Sequence, residues 1–183
     1  MITLGIIADT HIPDRSKTLP PEIIPIFQQA GVDDILHAGD ISVPRVLTQL
    51  EQIAPVHAVR GNRDMWRLRH LPISQILQFE QIKVGITHGH GSLGSYLRDK
   101  LRFLQRGPMP YRIVKERAVS LLHQDVDVVI FGHNHSTYNQ VEDGKLVFNP
   151  GSACCPSPRN SKPSIGIIKI EGKNVYGEII EIG

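Results

Sequence analysis

The sequence predicts an α/β fold with two β-sheets packed face to face and helices outside, the second sheet being mixed. Two observations support this prediction. Early in the chain, short apolar strands alternate with helical segments, which is typical of a largely parallel sheet. Later, strands follow one another closely around glycines, which indicates hairpins. The length of 183 residues is about that of one domain, so we expect residues 1–183 to form a single domain.

The first part of the chain alternates strand and helix. Ile2–Ala8 is an almost continuous apolar run, as expected for a strand covered on both faces. The following helix begins after Pro20 and Pro21 and ends at Gly31. The next predicted elements are a strand, a helix and a strand, at Asp34–Ala38, Pro44–Gln52 and Pro55–Val59.

The second part begins with two strands in quick succession, Gln75–Phe79 and Lys83–Thr87. Two helices, about Leu93–Leu104 and Arg112–His123, are separated by a segment rich in proline and glycine. Val126–Phe131 is a further buried strand. The remaining short strands are expected around three glycines, with a final hairpin turning at the last of them: Gly144, Gly151 and Gly172.

The composition is that of a folded globular protein, with 40% hydrophobic and 21% charged residues. No apolar run approaches the roughly 20 residues that span a bilayer, and the N-terminus lacks signal-peptide features, so we expect a cytoplasmic protein without membrane contact. Cys154 and Cys155 are adjacent, which predicts free thiols. The net charge of +2 and the 5% aromatic content do not indicate nucleic acid as a partner.

Residue types that commonly bind metals follow five of the predicted strands, where each strand ends. In open α/β sheets the carboxyl ends of strands line one crevice, so we expect these side chains to converge. Asp9 and His11 are two apart, which on an extended segment directs both side chains to the same face. Taken singly, each of these residues could instead be a cap, turn or loop residue. The set contains seven donors: Asp9, His11, Asp40, Asn62, His88, His133 and His135.

Seven donors exceed the roughly three protein ligands of one catalytic zinc. They suit two divalent ions that share Asp40, hold a bridging hydroxide and brace the oxygens of a phosphate ester. The lack of thiolates in the set disfavours a structural zinc or iron–sulfur site. Imidazole and carboxylate suit manganese, our first expectation, or nickel, iron, cobalt or zinc. A metal-dependent hydrolase is therefore predicted.

The same residues, taken in order, carry a family resemblance. The pattern Asp9-x-His11, Gly39-Asp40, Gly61-Asn62-x-Asp64, His88 and Gly132-His133-x-His135, with NPGS at Asn149 to Ser152, resembles the calcineurin-like metallophosphoesterase superfamily and its small bacterial and archaeal phosphodiesterase branch. The resemblance implies a four-layer αββα sandwich. It also implies two ligand sets: Asp9, His11, Asp40 and His135 at one ion, and Asp40, Asn62, His88 and His133 at the other.

One position departs from the family pattern. Many members carry a histidine after Gly-Asn, thought to protonate the leaving oxygen, where this chain has Arg63. An arginine stays charged, so it can stabilise phosphate charge but is a poor proton donor. His90, two residues beyond His88, is the candidate acid, with a metal-bound water as the alternative. We therefore expect faster turnover of activated esters than of alkyl esters.

The predicted function is hydrolysis of a small phosphodiester by a metal-bridging hydroxide, assisted by Arg63 and His90. The alternative within hydrolases is a phosphomonoesterase or protein phosphatase. A non-catalytic scaffold is the alternative outside enzymes, because a eukaryotic retromer subunit shares this fold, although the complete histidine set argues against it. Relatives are often dimers or tetramers, which leaves a homo-oligomer open. A nuclease is also left open, although nothing beyond the basic segment specifies nucleic acid.

Several neighbouring residues have local interpretations. The basic segment Arg98–Arg117 is interpreted as solvated helix faces, with the alternative that it overhangs the crevice and attracts anionic diesters. Asp64 is expected to pair with an arginine, such as Arg60 or Arg63. Ser152 is either a turn residue or a donor near the site. His37 is expected to be a packed, hydrogen-bonded residue of its strand.

Overall fold

The structure is a computed structural model that describes residues 1–91, 94–95, 98, 101–102, 111–122, 126–157 and 162–183. Its strands are β1 (Ile2–Ile7), β2 (Asp34–His37), β3 (Val56–Ala58), β4 (Ser74–Phe79), β5 (Ile82–Thr87), β6 (Val128–Ile130), β7 (Thr137–Glu142), β8 (Lys145–Pro150), β9 (Ser164–Glu171) and β10 (Asn174–Glu181). The helices with complete bounds within these residues are α1 (Ile23–Ala30), α2 (Pro44–Leu50) and α3 (Tyr111–Leu122).

The strands form two five-stranded sheets. The first sheet has the order β10-β9-β1-β2-β3, and the second has the order β4-β5-β6-β8-β7. Both sheets are mixed, because β1 is parallel to β2 but antiparallel to β9, and β5 is parallel to β6 but antiparallel to β4. The predicted arrangement of two sheets is therefore confirmed, with mixed pairing in the first sheet as well as the second.

Alternating side chains place the central strands between two cores. In β1, Leu4 packs into the core between the sheets, whereas Ile7 packs into an outer core with α1 and α2. In β6, Val128 joins the middle core and Val129 packs with residues of α3. All four side chains are almost fully buried, and each contributes about 1.5–3 kcal/mol by leaving water. The layers are helix, sheet, sheet and helix, as the family resemblance implied.

Two glycines position α1 on the first sheet. The helix ends at Gly31, whose left-handed backbone (φ 62°, ψ 50°) lets its N–H bond to the carbonyl of Gln28. Within β1, a Cβ on Gly5 would lie 3.1 Å from the ring of Phe27, so a side chain there would crowd the helix. The absence of that side chain lets α1 lie close to β1.

The element boundaries agree with the sequence expectations to within a few residues. The C-terminal hairpin pairs Asn174 with Glu171 and turns at Gly172, as predicted. The predicted helix Leu93–Leu104 lies largely outside the described residues. Cys154 and Cys155 are free thiols. Among the helices that the structure describes, none combines the length and apolar character needed to cross a membrane.

Candidate metal centre

The predicted ligands meet at one edge of the molecule, where strands of both sheets end. Three strands of the first sheet lead into loops that carry four of the predicted ligands: Asp9 and His11 after β1, Asp40 after β2 and Asn62 after β3. Two strands of the second sheet lead to the other three: His88 directly after β5, and His133 and His135 after β6. The convergence expected from the sequence is therefore present in the structure.

One group of donor atoms, which we name the Asp9 cluster, consists of Asp9, His11 and His135. The Nε2 atom of His135 lies 3.2 Å from Oδ1 of Asp9 and 3.1 Å from Nε2 of His11. The Nε2 atom of His11 lies 3.6 Å from the same carboxylate oxygen. Asp9 and His11 are buried, whereas the His135 side chain is 14% exposed. Three donors thus face one small volume.

The second group, the Asp40 cluster, consists of Asp9, Asp40 and His88, all buried. The Nε2 atom of His88 lies 3.4 Å from Oδ1 of Asp40. The other oxygen of Asp40, Oδ2, lies 3.8 Å from Nε2 of His11 in the Asp9 cluster. Asp40 therefore directs one oxygen toward each cluster, as a residue shared by two ions would.

Asn62 and His133 lie on the Asp40 side of the centre. The ring of His133 meets the ring of His88 edge to face, with 5.0 Å between the centroids. The residue after Asn62, Arg63, donates its backbone N–H to Oδ1 of Asp40 at 2.8 Å, which holds the Asn62 loop against Asp40. These contacts place His133 beside His88 and the Asn62 loop against Asp40, and the allocation of ligands to two ions stays a prediction.

Several buried donor atoms of this centre have no hydrogen-bond partner among the described residues. They include Oδ1 of Asp9, Oδ1 of Asn62 and Nε2 of His88. Leaving a buried polar atom unpaired costs about 1–3 kcal/mol, and native proteins contain few such atoms. Each of the three is the atom that would bind a metal, and a set of oxygens and imidazole nitrogens is what divalent cations of this kind prefer. The residues present therefore fit a metal centre.

The backbone of the centre is strained in a way that the sequence did not indicate. Five of the predicted ligands have left-handed backbones: Asp9 (φ 54°), His11 (φ 48°), Asp40 (φ 54°), His133 (φ 76°) and His135 (φ 56°). Such a conformation costs a non-glycine residue about 1–3 kcal/mol and is concentrated at functional sites. The expectation that Asp9 and His11 converge on an extended segment was wrong, because they converge through left-handed turns.

Asp64 ties two ligand loops together. Its carboxylate is fully buried, with Oδ1 accepting the N–H groups of Ile41 (2.9 Å) and Ser42 (2.7 Å), and Oδ2 accepting that of Gly61 (2.7 Å). The carboxylate thus joins the loop after Asp40 to the loop before Asn62. Its contacts in the structure are with backbone N–H groups, so the expected pairing with an arginine was wrong.

The NPGS segment holds two further ligand loops. Ser152 donates its hydroxyl to the carbonyl of Asp9 at 2.8 Å, and Asn149 donates its side-chain amide to the carbonyl of Gly132 at 3.1 Å. The sequence left Ser152 with two alternative roles, a turn residue or a donor near the site, and indicated no role for Asn149. The NPGS motif, which contains both residues, was the signal for their roles. The segment fastens the loops that follow β1 and β6.

Backbone carbonyls orient two of the histidines. His88 donates from Nδ1 to the carbonyl of Ala38 at 2.7 Å, and His135 donates from Nδ1 to the carbonyl of Cys155 at 2.5 Å. Each bond fixes the ring and leaves Nε2 facing the centre, which is how metal-binding histidines are commonly oriented. His37 is buried, and its Nδ1 accepts the N–H of Gly39 at 3.2 Å, so it is packed and hydrogen-bonded as expected.

The charges of the centre are strongly coupled. Burial opposes ionisation of Asp40, but the neighbouring His88 outweighs this effect and lowers the pKa of the carboxyl to about 2. Burial likewise opposes charging of His88, but Asp40 and Asp9 outweigh it and raise the pKa of the imidazole to about 9. Burial and the charge of His88 lower the pKa of His133 to about 3. Without a cation, a proton on His88 therefore balances part of the carboxylate charge.

The two predicted catalytic residues lie beside the centre. The ring centroid of His90 is 5.4 Å from that of His88 and 6.4 Å from that of His133. Burial and the charge of His88 lower the pKa of His90 to about 4, so its ring is neutral near pH 7. Arg63 exposes its side chain to solvent, while its backbone N–H is bonded to Asp40. Neither the position of His90 nor the backbone bond of Arg63 assigns a catalytic step to that residue.

The basic segment Arg98–Arg117 is partly neutralised. Arg112 pairs with Glu116 at 2.6 Å, and Lys115 pairs with Glu142 at 2.6 Å. The exposed pair of Arg112 supports the interpretation of solvated helix faces, whereas Arg117 donates from its guanidinium to the carbonyl of His90 at 2.9 Å, which agrees with the alternative that this part of the segment reaches the crevice. Two of its predicted cations, Lys100 and Arg106, lie outside the described residues.

Comparison with known proteins places this site in a family. Residues 2–173 match the calcineurin-like phosphoesterase superfamily domain. A probable metallophosphoesterase of Methanothermobacter thermautotrophicus is 34% identical over 183 residues, which cover 98% of this chain and 92% of the relative. A phosphodiesterase of Methanocaldococcus jannaschii is 30% identical over 193 residues, which cover 97% of this chain and 98% of the relative.

A solved structure shows the same fold. Vps29 from Entamoeba histolytica, crystallised with Zn²⁺, has a TM-score of 0.72 at 24% identity, over 98% of this chain and 99% of that one. The family match, the identity to the archaeal relatives and the shared architecture agree with the resemblance found in the motifs. The chain therefore belongs to the calcineurin-like phosphoesterase superfamily.

Proposed function

We propose that this protein is a binuclear metal-dependent phosphodiesterase. The observation that carries the proposal is the position of Asp40, whose two oxygens face different clusters: Oδ1 lies 3.4 Å from His88 Nε2, and Oδ2 lies 3.8 Å from His11 Nε2. A carboxylate in this position suits a ligand shared by two ions. Membership of a phosphoesterase family supports hydrolysis of phosphoric esters, and the name of the Methanocaldococcus relative supports diesters.

Each proposed ion has four ligands. One ion would be held by Asp9, His11, Asp40 and His135, and the other by Asp40, Asn62, His88 and His133. When bound, the two ions would supply Lewis acidity that makes water nucleophilic and offsets the charge of the phosphate. Manganese is our first candidate, with nickel, iron, cobalt and zinc as alternatives.

The chain contributes pre-organised donor atoms. Asp9 accepts the N–H of His133 on Oδ2 at 2.9 Å, which leaves Oδ1 free of hydrogen bonds within the described residues. His88 and His135 are fixed through Nδ1, so each presents Nε2. Ligands held in this way need little reorganisation when a cation binds, which favours affinity and correct geometry.

Arg63 and His90 are the proposed substrate-contacting residues. The exposed guanidinium of Arg63 can donate hydrogen bonds to phosphate oxygens, which stabilises charge without moving a proton. His90 is neutral near pH 7, since its pKa is about 4, so it can donate a hydrogen bond to the leaving oxygen but carries no extra proton to give. This arrangement favours esters with good leaving groups.

A metal-by-substrate panel tests the proposal. Wild type and Asp40→Asn would be assayed with each candidate metal on bis-p-nitrophenyl phosphate, a diester, and p-nitrophenyl phosphate, a monoester. We expect the wild type to prefer the diester, and Asp40→Asn to lose at least about 100-fold in kcat/KM, since even residues that only support metal ligands contribute 10–100-fold.

Asp33→Asn is the matched control. Asp33 accepts the N–H of Thr3 at the start of β1, opposite the centre, so the same exchange of carboxylate for amide there should preserve activity. Full activity in Asp40→Asn would contradict the proposal, and a preference for the monoester would indicate the alternative hydrolase. A scaffold would purify without metal and show no esterase activity with added manganese.

A further inference from the structure

The chain has one tryptophan, and it is almost fully exposed in the loop that follows the proposed ligand Asn62. Trp66 is 91% exposed, and the preceding Met65 is 51% exposed. A single exposed apolar residue is ordinary, but an indole offers a large flat surface that commonly serves in binding. What surrounds Trp66 decides whether it has such a role.

Trp66 projects from a closed loop and not from a loose segment. The ends of the loop are joined by Arg60, whose backbone N–H bonds to the carbonyl of Pro72 at 2.8 Å. Inside the loop, Asp64 and Leu68 are buried, and the N–H of Leu68 bonds to the carbonyl of Asp64 at 3.0 Å. Trp66 lies midway between these two anchors. The backbone that carries the indole is therefore fixed before any ligand binds, which reduces the entropy lost on binding.

The loop begins at the proposed centre. Asn62 is a proposed ligand, and the N–H of Arg63 bonds to Asp40. The bond between Asp64 and Leu68 marks one helical turn, which rises about 5.4 Å, so the backbone of Trp66 lies within roughly one turn of Arg63. We therefore expect the rest of a substrate whose phosphate is at the metal ions to come within reach of the indole.

The loop is also cationic. Between residues 60 and 69 the chain has four arginines, Arg60, Arg63, Arg67 and Arg69. The one acid in this stretch, Asp64, is buried and occupied by three backbone N–H groups. Positive charge in the same loop as an exposed aromatic ring favours the binding of nucleotides, because phosphates are attracted and bases stack. A two-fold contact between copies would instead oppose the arginines of one copy to those of the other, which disfavours self-association here.

We propose that Trp66 stacks against a nucleobase, so that the substrates of this enzyme are phosphodiesters that carry a nucleoside. The inference rests on the proposed phosphodiesterase function and narrows its substrate class. One stacking residue differs from the extended aromatic platform of proteins that bind single strands, so it is compatible with the low aromatic content.

Two esters with the same leaving group test this inference. Thymidine 5′-(p-nitrophenyl phosphate) and ethyl p-nitrophenyl phosphate both release p-nitrophenolate, and only the first carries a base. We expect Trp66→Ala to reduce the ratio of the two kcat/KM values by about tenfold, as base stacking on an aromatic ring predicts. Trp66→Phe should keep most of the ratio, because a phenyl ring also stacks.

Tyr176→Ala is the matched control. Tyr176 is also an exposed aromatic residue, at 57%, but it lies on β10 opposite Lys169, which pairs with Thr3 at the start of β1. That end of the sheet is remote from the centre. The substitution should leave the ratio of the two esters unchanged.

Binding can be followed without turnover, because Trp66 is the chain's one tryptophan and reports through its fluorescence. Thymidine 5′-monophosphate added to the metal-loaded enzyme should quench this fluorescence, and ethyl phosphate at the same concentration should not. Equal quenching by both, or none by the nucleotide, would overturn the inference.

The outcomes separate the two proposals. If wild type hydrolyses neither ester with any candidate metal, the phosphodiesterase proposal fails. If wild type hydrolyses both and Trp66→Ala lowers both equally, the indole contacts the nitrophenyl group or supports the loop, and the base assignment is wrong. If Trp66→Ala changes the sedimentation of the protein, Trp66 is a contact between copies, and the inference is overturned.

Discussion

The two sheets bring different donor atoms to the same centre. All three oxygen donors among the proposed ligands come from the first sheet: Asp9, Asp40 and Asn62, together with the imidazole of His11. The second sheet brings imidazoles: His88, His133 and His135. Donors of the two sheets lie close together at the metal centre: Asp40 Oδ1 lies 3.4 Å from His88 Nε2, and Asp9 Oδ1 lies 3.2 Å from His135 Nε2. Each cluster is therefore built from both sheets.

This difference explains how the centre can fold without metal. Buried carboxylates are strongly unfavourable unless paired, and the first sheet buries both Asp9 and Asp40. The second sheet compensates with a proton on His88, whose pKa is raised to about 9 despite its burial. A divalent cation would replace that proton and bind oxygens of one sheet to nitrogens of the other. Removal of the cations, of a carboxylate on the first sheet or of an imidazole on the second sheet should therefore have effects of different size.

The largest expected effect is the loss of stability when the cations that would join the two sheets are removed. Removing metal from wild type should lower the free energy of unfolding by about 4 kcal/mol for each of the two ions, relative to protein with free metal at roughly 1,000 times the Kd of each site. Urea denaturation with excess manganese and with a chelator measures this difference. Asp40→Asn should show little response to the chelator. Equal stability of wild type in both conditions would mean that no cation joins the sheets.

The next largest effect concerns the loops of the first sheet, which carry the oxygen donors. Asp64→Asn should lower the free energy of unfolding of the metal-free protein by about 3 kcal/mol, because one amide oxygen cannot replace two carboxylate oxygens that accept three buried N–H groups. Asp33→Asn, which keeps an acceptor for the single N–H of Thr3, is the control and should change stability by less than about 1 kcal/mol. Similar values for both variants would remove the special role of Asp64.

The pH dependence of stability tests the contribution of His88, an imidazole donor of the second sheet. The pKa of His88 is raised from 6.5 to about 9, so its stabilising proton is fully present below pH 6.5 and is lost as the pH rises through 9. Metal-free wild type should lose about 2 kcal/mol of stability between pH 7 and pH 10 from this group. Manganese-loaded protein should not show this loss, and metal-free His88→Gln should show a smaller one, since Asp9 outweighs burial and raises the pKa of His135 as well. A loss that persists undiminished in His88→Gln would have to come from another group.

The smallest effect separates His90 from the ligands beside it. His90→Ala should slow hydrolysis of a diester with an alkyl leaving group by up to about tenfold and slow that of bis-p-nitrophenyl phosphate less, since p-nitrophenolate leaves without help. Comparison of kcat for the two substrates measures this. Equal slowing would show that His90 supports the site without assisting the leaving group.

The sequence was most informative where polar residues directly follow apolar strands. Apolar runs that end in Asp9 or His88 predicted both the strands and the edge at which they meet, because strand direction determines where the side chains gather. The turns between them could not be predicted locally. The N–H groups of Asp9 and His11 bond to the carbonyls of Gly39 and Asp40, each at 3.0 Å, and these bonds between distant segments accompany the left-handed backbone.

The supporting contacts were missed for the same reason. Asp64 looked like a partner for a nearby arginine, because local charge pairing is visible in a sequence, whereas bonds to Ile41 and Ser42 exist only after β2 and β3 pair. The exposure of Trp66 is equally hidden, since an aromatic residue near a buried Leu68 could as well belong to the core. Burial and long-range bonding, not residue type, decide these roles.

The central claim is that the two sheets together hold two cations that share Asp40. Metal content per chain, measured on wild type, His88→Ala and His135→Ala after equilibration with manganese, tests it most directly. We expect two ions in wild type and one in each variant, because His88 and His135 belong to different clusters. One ion in wild type, or two ions in either variant, would contradict a shared binuclear centre.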